Sequence, residues 1–323
     1  MDTIKIRKVQ YKGWDNCIEM SNGSIELIVT TDVGPRIIHF GFAGMENELF
    51  QFDEEIGKSG GDKYCFYGGH RLWAAPQDAA RTAELDNIPV PYTIEGNTLI
   101  LNPEPNPLTR LEKTIVISMG PGDRVDIDHR ITNRNVWDIE LALWSLTFMA
   151  EGASSIVPVS QSNTLLAPNR ILALWPWSKM GDPKMSWGNR YIIGKQYNIS
   201  GKPRLLTAED PEDPCGPYTN AVKFGLNNDH GWAAVANHGN LFLLRFDYIE
   251  NERYTDQGSS YESFICDYFT EIETLSPLYR IKPGEYKDHR ESWELYRDIA
   301  CPDSEEDIIN IIEPLVQSKG EEK

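Results

Sequence analysis

The sequence predicts an all-β protein of antiparallel strands, and three observations carry that reading. Short runs rich in β-branched and aromatic residues recur from one end of the chain to the other. Turns containing Gly, Asn or Asp stand between them at hairpin spacing. No stretch shows the strand–helix alternation of a doubly wound or barrel α/β fold.

Residues 24–29 form one strand, and residues 36–40 the next after the turn Asp32-Val33-Gly34-Pro35. Residues 92–95 and 98–101 flank Gly96-Asn97, a dipeptide suited to a type II′ hairpin turn. Residues 114–118 and 125–128 flank Gly120-Pro121-Gly122-Asp123. Here Asp126, Asp128 and Arg130 alternate with Val125, Ile127 and Ile131, which predicts one wet face and one buried face. Residues 232–236 and 241–246 flank Asn237-His238-Gly239-Asn240.

One clear helix follows at the C-terminus. Ser304 and Asp307 make an acidic variant of the capping box, and Ile308, Ile311, Ile312 and Leu315 supply an apolar stripe. Pro314 is expected to end or kink this helix, with residues 318–323 as a frayed tail. Residues 167–218, rich in Trp, Pro and Asn, read as long loops. No compositional break or repeat divides the chain, so the expected organisation is one β domain over residues 1–300, then a helix and tail over 301–323.

At 323 residues the chain is long enough to bury about three quarters of its unfolded surface without staples. Lys and Arg number 31 against 49 Asp and Glu, a net charge of -18 that repels a nucleic-acid backbone. No basic patch offsets it, so no nucleic-acid partner is expected. Mean hydropathy is -0.44 and no run approaches 18 apolar residues, which predicts no membrane span. The basic N-terminal segment has no apolar run behind it, so no signal peptide is expected. Cys17, Cys65, Cys215, Cys266 and Cys301 are odd in number and form no C-x-x-C, as expected of reduced thiols in a cytoplasmic protein. Nothing in the sequence fixes an oligomeric state.

Motifs of the form G-x-S-x-G, H-E-x-x-H, G-x-G-x-x-G and the P-loop are absent. No two of the six histidines have ligand spacing, and no cofactor or metal is expected. His129, His238 and His289 sit in hairpin or strand contexts that suit surface or hydrogen-bonding roles.

His70 differs, lying in a loop-like segment with Gly68, Gly69, Arg71 and Trp73. Paired glycines allow positive φ or close approach of backbone to a ligand. A titratable ring, a fork of donors and a flat apolar face suit a sugar, whose hydroxyls need donors and acceptors and whose C–H face packs on an aromatic ring. The plainer alternative is that Arg71 pairs with an acid and Trp73 fills the core.

In a strand, Asp267, Glu271 and Glu273 share one face, where they repel unless solvated, paired with cations or sharing a proton. Asp256 and Glu262 lie just upstream, within reach of the same site. A wet outer face is the plain alternative, and no EF-hand-like spacing supports Ca²⁺. Trp175 and Trp177, held by Pro176, suggest an aromatic wall or packing under a long loop, with Asn169 and Arg170 just before them.

These segments together resemble the galactose mutarotase-like (aldose 1-epimerase-like) superfamily. More closely they resemble a branch of it with a G-G-H-R-L-W-x-A-P-[EQ] loop, here residues 68–77, and an E-[IL]-E-T-L-[SG]-P-L strand, here residues 271–278. Residues 32–37, 144–149, 174–177 and 283–285 extend the match over residues 20–297. The resemblance implies an antiparallel β-supersandwich with a short C-terminal helix. In aldose 1-epimerases a late-strand glutamate takes the anomeric hydroxyl proton and a histidine protonates the ring oxygen. By this resemblance Glu273 is the base, and Arg36 and Arg71 bind hydroxyls. The mutarotase histidine belongs to an H-P-Y-F-like strand, which here reads Trp144-Ser145-Leu146-Thr147-Phe148 without a histidine. His70 is left as the acid.

The function expected is therefore a carbohydrate-active enzyme, aldose 1-epimerase-like, acting on a small-molecule sugar or glycoside. Glu273 and His70 are expected to be catalytic, with Arg36, Arg71, Trp73, Trp175, Trp177, Glu262 and Glu271 binding substrate. The alternatives are a non-catalytic carbohydrate-binding protein, and a lyase or glycosidase acting on a larger glycan.

Overall fold

Side-chain alternation read at residues 125–131 becomes the strand Arg124–Asn133, with Val125, Ile127 and Ile131 fully buried and Asp126 at the surface. The computed structural model describes residues 4–78, 81–82, 84–199, 201 and 220–318. Cys215 and most of the irregular segment after Gly201 lie outside the described residues.

Two antiparallel sheets dominate. The first has eleven strands in the order Lys5–Tyr11, Trp14–Ser21, Ile25–Thr30, Arg36–Phe42, His70–Ala75, Ile139–Met149, Thr270–Leu275, Tyr261–Ile265, Val222–Leu226 and Leu172–Leu174, with Tyr279–Ile281 paired to the start of Ile139–Met149. The second has ten: Met185–Trp187, Tyr191–Lys195, Ser154–Pro158, Trp232–Asn237, Asn240–Phe246, Tyr286–Tyr296, Arg124–Asn133, Leu111–Met119, Thr98–Leu101 and Tyr92–Glu95. This is the all-β supersandwich that the sequence predicts.

The sheets pack face to face over one apolar layer. Phe40 of the first sheet meets Phe242 and Trp293 of the second with ring centroids 5.8 and 5.4 Å away, and Phe242 and Trp293 lie 5.3 Å apart. Each such buried ring contributes about 1.5–3 kcal/mol through area removed from water. Gly96, at φ +62°, turns the hairpin between Tyr92–Glu95 and Thr98–Leu101 as expected. The segment read as loops contains three short strands, Leu172–Leu174, Met185–Trp187 and Tyr191–Lys195.

The capping box forms: the Asp307 N–H donates to Ser304 Oγ at 3.2 Å and the Ser304 N–H to Asp307 Oδ2 at 3.1 Å. Ile308 and Ile312 are buried against Ile156, Ala234 and Leu243. Pro314 does not end the helix, which runs on to Ser318. A π turn over Ile308–Ile312, in which the Glu313 N–H bonds the Ile308 carbonyl, comes just before it. Such a wider turn accommodates a residue that has no N–H for the i−4 carbonyl. Among the described residues no helix is long and apolar enough to cross a membrane.

Candidate functional site

Strand Thr270–Leu275 lies near the middle of the first sheet, and its alternation decides what each face carries. Ile272 packs in the intersheet core, and the Thr274 hydroxyl reaches His289 and Glu291 of the second sheet. Glu271 and Glu273 therefore point the other way, onto the outer face. Register extends that face sideways. Glu262 pairs directly with Glu273, Gly225 with Glu262, and Leu146 with both Glu273 and Arg71. Lys223 stands two residues from Gly225, and Trp144 pairs with Trp73.

These side chains converge. Lys223 Nζ donates to Glu273 at 3.0 and 3.3 Å and lies 2.9 Å from Glu262 Oε2. Its ammonium sits 4.7 Å from the ring centroids of both Trp144 and Trp175, between two negative π faces. The Trp144 indole N–H donates to Glu273 Oε2 at 2.8 Å. Arg71 lies over Trp73 at 3.9 Å, with Tyr64 and Phe148 at 5.4 and 5.3 Å, and donates to the Tyr64 hydroxyl. Glu273 and Glu262 are buried, whereas Glu271, Trp73 and Trp175 are half-buried and bring solvent to the edge of the cluster. A pocket of about 160 Å³ adjoins it, with Arg71 and Trp73 on one wall and Pro35, Asp86, Pro105 and Lys113 among the rest.

Electrostatics follow from three acids crowded around few cations. Burial, then the charge of Glu273, push the Glu271 carboxyl up to about 8, against the pull of Arg71 and Lys223. Glu262 also rises to about 8, because burial outweighs the nearby Lys223 ammonium. Burial alone lowers Lys223, but Glu262 and Glu273 overcome it and raise its pKa on balance. Glu262 Oε1 is buried with no hydrogen-bond partner among the described residues.

Of the residues singled out in the sequence, Glu273, Glu271, Glu262, Arg71, Trp73 and Trp175 come together here. Trp177 is half-buried two residues further on, and its indole N–H meets no acceptor among the described residues. Asp267 precedes the strand rather than sharing its face, and lies 3.7 Å from the buried Lys184 ammonium.

Two residues lie elsewhere. Arg36 is fully buried, pairing with Asp86 at 2.6 Å and donating to the Phe66 and Gly68 carbonyls, so it holds loops against the strand Arg36–Phe42. Residues 70–75 are a strand rather than a loop, so His70 and Arg71 point to opposite faces. The His70 ring faces the intersheet space, 2.7 Å from His129, and burial holds its pKa well below the usual histidine range. Gly68 and Gly69, at φ +89° and +71°, approach backbone rather than a ligand: a Cβ on Gly69 would meet the Ile37 carbonyl oxygen at 2.1 Å.

Sequence reasoning missed Lys223 and gave Trp144 no role. The available signal was a lysine inside the apolar run 222–226, since a buried lysine needs a charged partner.

No protein-family model matches the chain, and no curated protein matches it in sequence. Among solved structures it is similar to a galactose mutarotase-like protein from Lactobacillus casei, with a TM-score of 0.55 and 12% identity over 87% of this chain and 100% of that one. It is also similar to the Slr1438 protein from Synechocystis sp. PCC 6803, with a TM-score of 0.53 and 11% identity over 90% and 99% of the two chains. A putative aldose 1-epimerase from Klebsiella pneumoniae gives a TM-score of 0.52 and 11% identity over 99% and 88%. The chain has the galactose mutarotase-like fold.

Proposed function

We propose that the chain is a cytoplasmic carbohydrate-active enzyme working at the anomeric centre of a free sugar, as an aldose 1-epimerase-like isomerase. The observation that carries this reading is the outer-face cluster, in which Glu273, Glu271 and Glu262 surround Lys223 and Arg71 between the rings of Trp73, Trp144 and Trp175. Glu273 takes the proton of the anomeric hydroxyl as the bond from C1 to the ring oxygen breaks. The ring oxygen takes a proton from a neutral carboxyl, a role that passes from the interior His70 to Glu271, which stands on the Glu273 face and whose pKa is pushed up to about 8. Rotation of the aldehyde and reversal of both proton transfers close the other anomer. The partnerless Glu262 oxygen and the Arg71 guanidinium hold hydroxyls, and the indoles of Trp73 and Trp175 cover the C–H face.

Exchange between α and β anomeric protons, followed by NMR over a panel of free sugars, tests this. Protein-dependent exchange is expected for one sugar class, and Glu273→Gln should cut it about 10²–10⁴-fold while leaving affinity within a few-fold. Exchange unaffected by that substitution overturns the assignment.

A second reading, a non-catalytic sugar-binding protein, is favoured by one feature: both Glu273 oxygens already accept hydrogen bonds from Lys223, and Oε2 also from Trp144. Ligand line broadening without exchange would establish that reading.

A further inference from the structure

His70 belongs to a second polar cluster, between the sheets, that this chemistry does not use. It comes from the first sheet, whereas His129 and Glu291 come from the paired strands Arg124–Asn133 and Tyr286–Tyr296 of the second. All three are buried, and their candidate ligand atoms lie within 4.8 Å of one another.

Ring orientation is informative. His129 Nδ1 lies 3.1 Å from the His289 carbonyl oxygen and donates to it, which leaves Nε2 as a lone pair. His70 Nδ1 lies 2.9 Å from the Thr147 hydroxyl, and its Nε2 faces His129 Nε2 at 2.7 Å. Metal-bound histidines use their second nitrogen in this way, on a carbonyl or another polar group. Two ring nitrogens so close need a bridge, either the hydrogen of a neutral His70 Nε2–H donated to His129 Nε2 or a metal held by both lone pairs.

Glu291 supplies an independent observation. It accepts from Ser145, from Thr274 at 2.6 Å and from the Trp293 indole at 3.0 Å, all neutral donors. Among the described residues no Lys or Arg pairs with it, although buried carboxylates are ordinarily paired with cations or bound to metals.

We propose that His70 Nε2, His129 Nε2 and a Glu291 carboxylate oxygen hold a divalent ion of the zinc type that clasps the two sheets together. Two imidazoles and one carboxylate suit zinc, whereas calcium and magnesium take oxygen ligands. Bonds of about 2.0–2.1 Å at a tetrahedral centre set the two nitrogens about 3.3 Å apart, so the rings separate by about 0.6 Å from their present 2.7 Å. Ser145, Thr274 and Trp293 then orient the carboxylate from behind. Its place between the sheets, on the opposite face from Glu273, separates the ion from the outer cluster, and its three protein ligands leave the fourth tetrahedral position to a water.

The test uses the full chain, unfolded in chelator and refolded with Zn²⁺ or Co²⁺. The expected results are stoichiometric metal retained through gel filtration, a higher Tm with metal, and a Co²⁺ spectrum of nitrogen and oxygen ligands without thiolate charge transfer. His129→Gln should abolish that spectrum, and Ser145→Ala, which removes no ligand but a hydroxyl that orients Glu291 directly and through Thr274, should weaken affinity about 10–100-fold. Should His129→Gln fail to refold, the wild-type spectrum and Ser145→Ala still decide. A folded wild-type chain that takes up no metal, or uptake with sulfur ligands or unchanged in the variants, overturns the proposal and leaves an ordinary N–H···N bond between the two neutral rings.

Discussion

Glu273 and Thr274 are neighbours in sequence, yet they belong to polar clusters on opposite faces of one sheet. The outer cluster gathers Glu262, Glu271 and Glu273 around Lys223 and Arg71, and indole rings line it up to a half-exposed edge. The inner cluster joins His70, His129 and His289 to Glu291 through hydroxyls and an indole N–H, with no Lys or Arg among its hydrogen bonds in the described residues. Both are removed from water, but among the described residues only the outer one gathers charged side chains of both signs. Concentrated charge costs stability in a low dielectric and is retained where charge has work to do on a ligand. The inner cluster spreads one carboxylate over neutral donors and thereby connects the sheets.

Lys223→Met gives the largest expected effect and tests this contrast directly. It strips the shared cation from Glu262 and Glu273, and breaking a buried pair in this way costs about 3–5 kcal/mol. Ser145→Ala on the inner face removes one neutral donor from Glu291 and should cost only about 1–3 kcal/mol. Urea unfolding of the two variants measures both. Equal losses would break the distinction between an outer site built on ion pairs and an inner carboxylate held by neutral donors.

Acidity sharpens the comparison next. Glu262 and Glu271 rise from an ordinary value of 4.5 to about 8 in the folded chain, chiefly because burial disfavours their charged forms. The native state then holds protons that the unfolded chain has released. Their contribution to stability is complete below about 4.5 and is lost as pH rises through about 8. Unfolding free energy should fall across that window, by at most about 1.4 kcal/mol per pH unit for each proton retained. Glu271→Gln should flatten the slope and also remove the proposed proton donor. A flat wild-type profile would mean that the outer carboxyls ionise freely, and the contrast with the inner face would lose its electrostatic basis.

Much of this fold was legible because strands write their burial into alternate residues. Val125, Ile127 and Ile131 marked one buried face, Gly96-Asn97 marked a hairpin, and Ser304 with Asp307 marked a helix start. The same rule also separates His70 from Arg71, but the glycines before them made the segment read as a loop and put both on one site. Glu271 and Glu273 share a face by local alternation alone. Lys223 meets Glu273 only because Val222–Leu226 and Tyr261–Ile265 lie next to one another and then beside Thr270–Leu275, an order set by tertiary packing. Pro314 was read from its missing N–H alone, whereas the π turn before it absorbs the mismatch.

The smallest expected effect separates two tryptophans that flank the same ammonium. Trp144 is 3% exposed and bonded to Glu273, so its loss disturbs the core and the site together. Trp175 lies at the same 4.7 Å from Lys223 but is half-buried and turned toward the edge that a sugar would cover. Trp175→Ala should therefore change stability by no more than about 1 kcal/mol, the upper range of an exposed cation–π contact. Losing one stacking face should weaken sugar affinity roughly 2- to 10-fold, since such contacts contribute about 0.5–1.5 kcal/mol and 1.4 kcal/mol is tenfold. NMR titration of whichever sugar shows exchange or broadening measures the affinity, and urea unfolding the stability. If Trp175→Ala instead lowers stability as far as Lys223→Met and leaves affinity unchanged, the outer indoles are packing, and the outer face is a second core rather than a site.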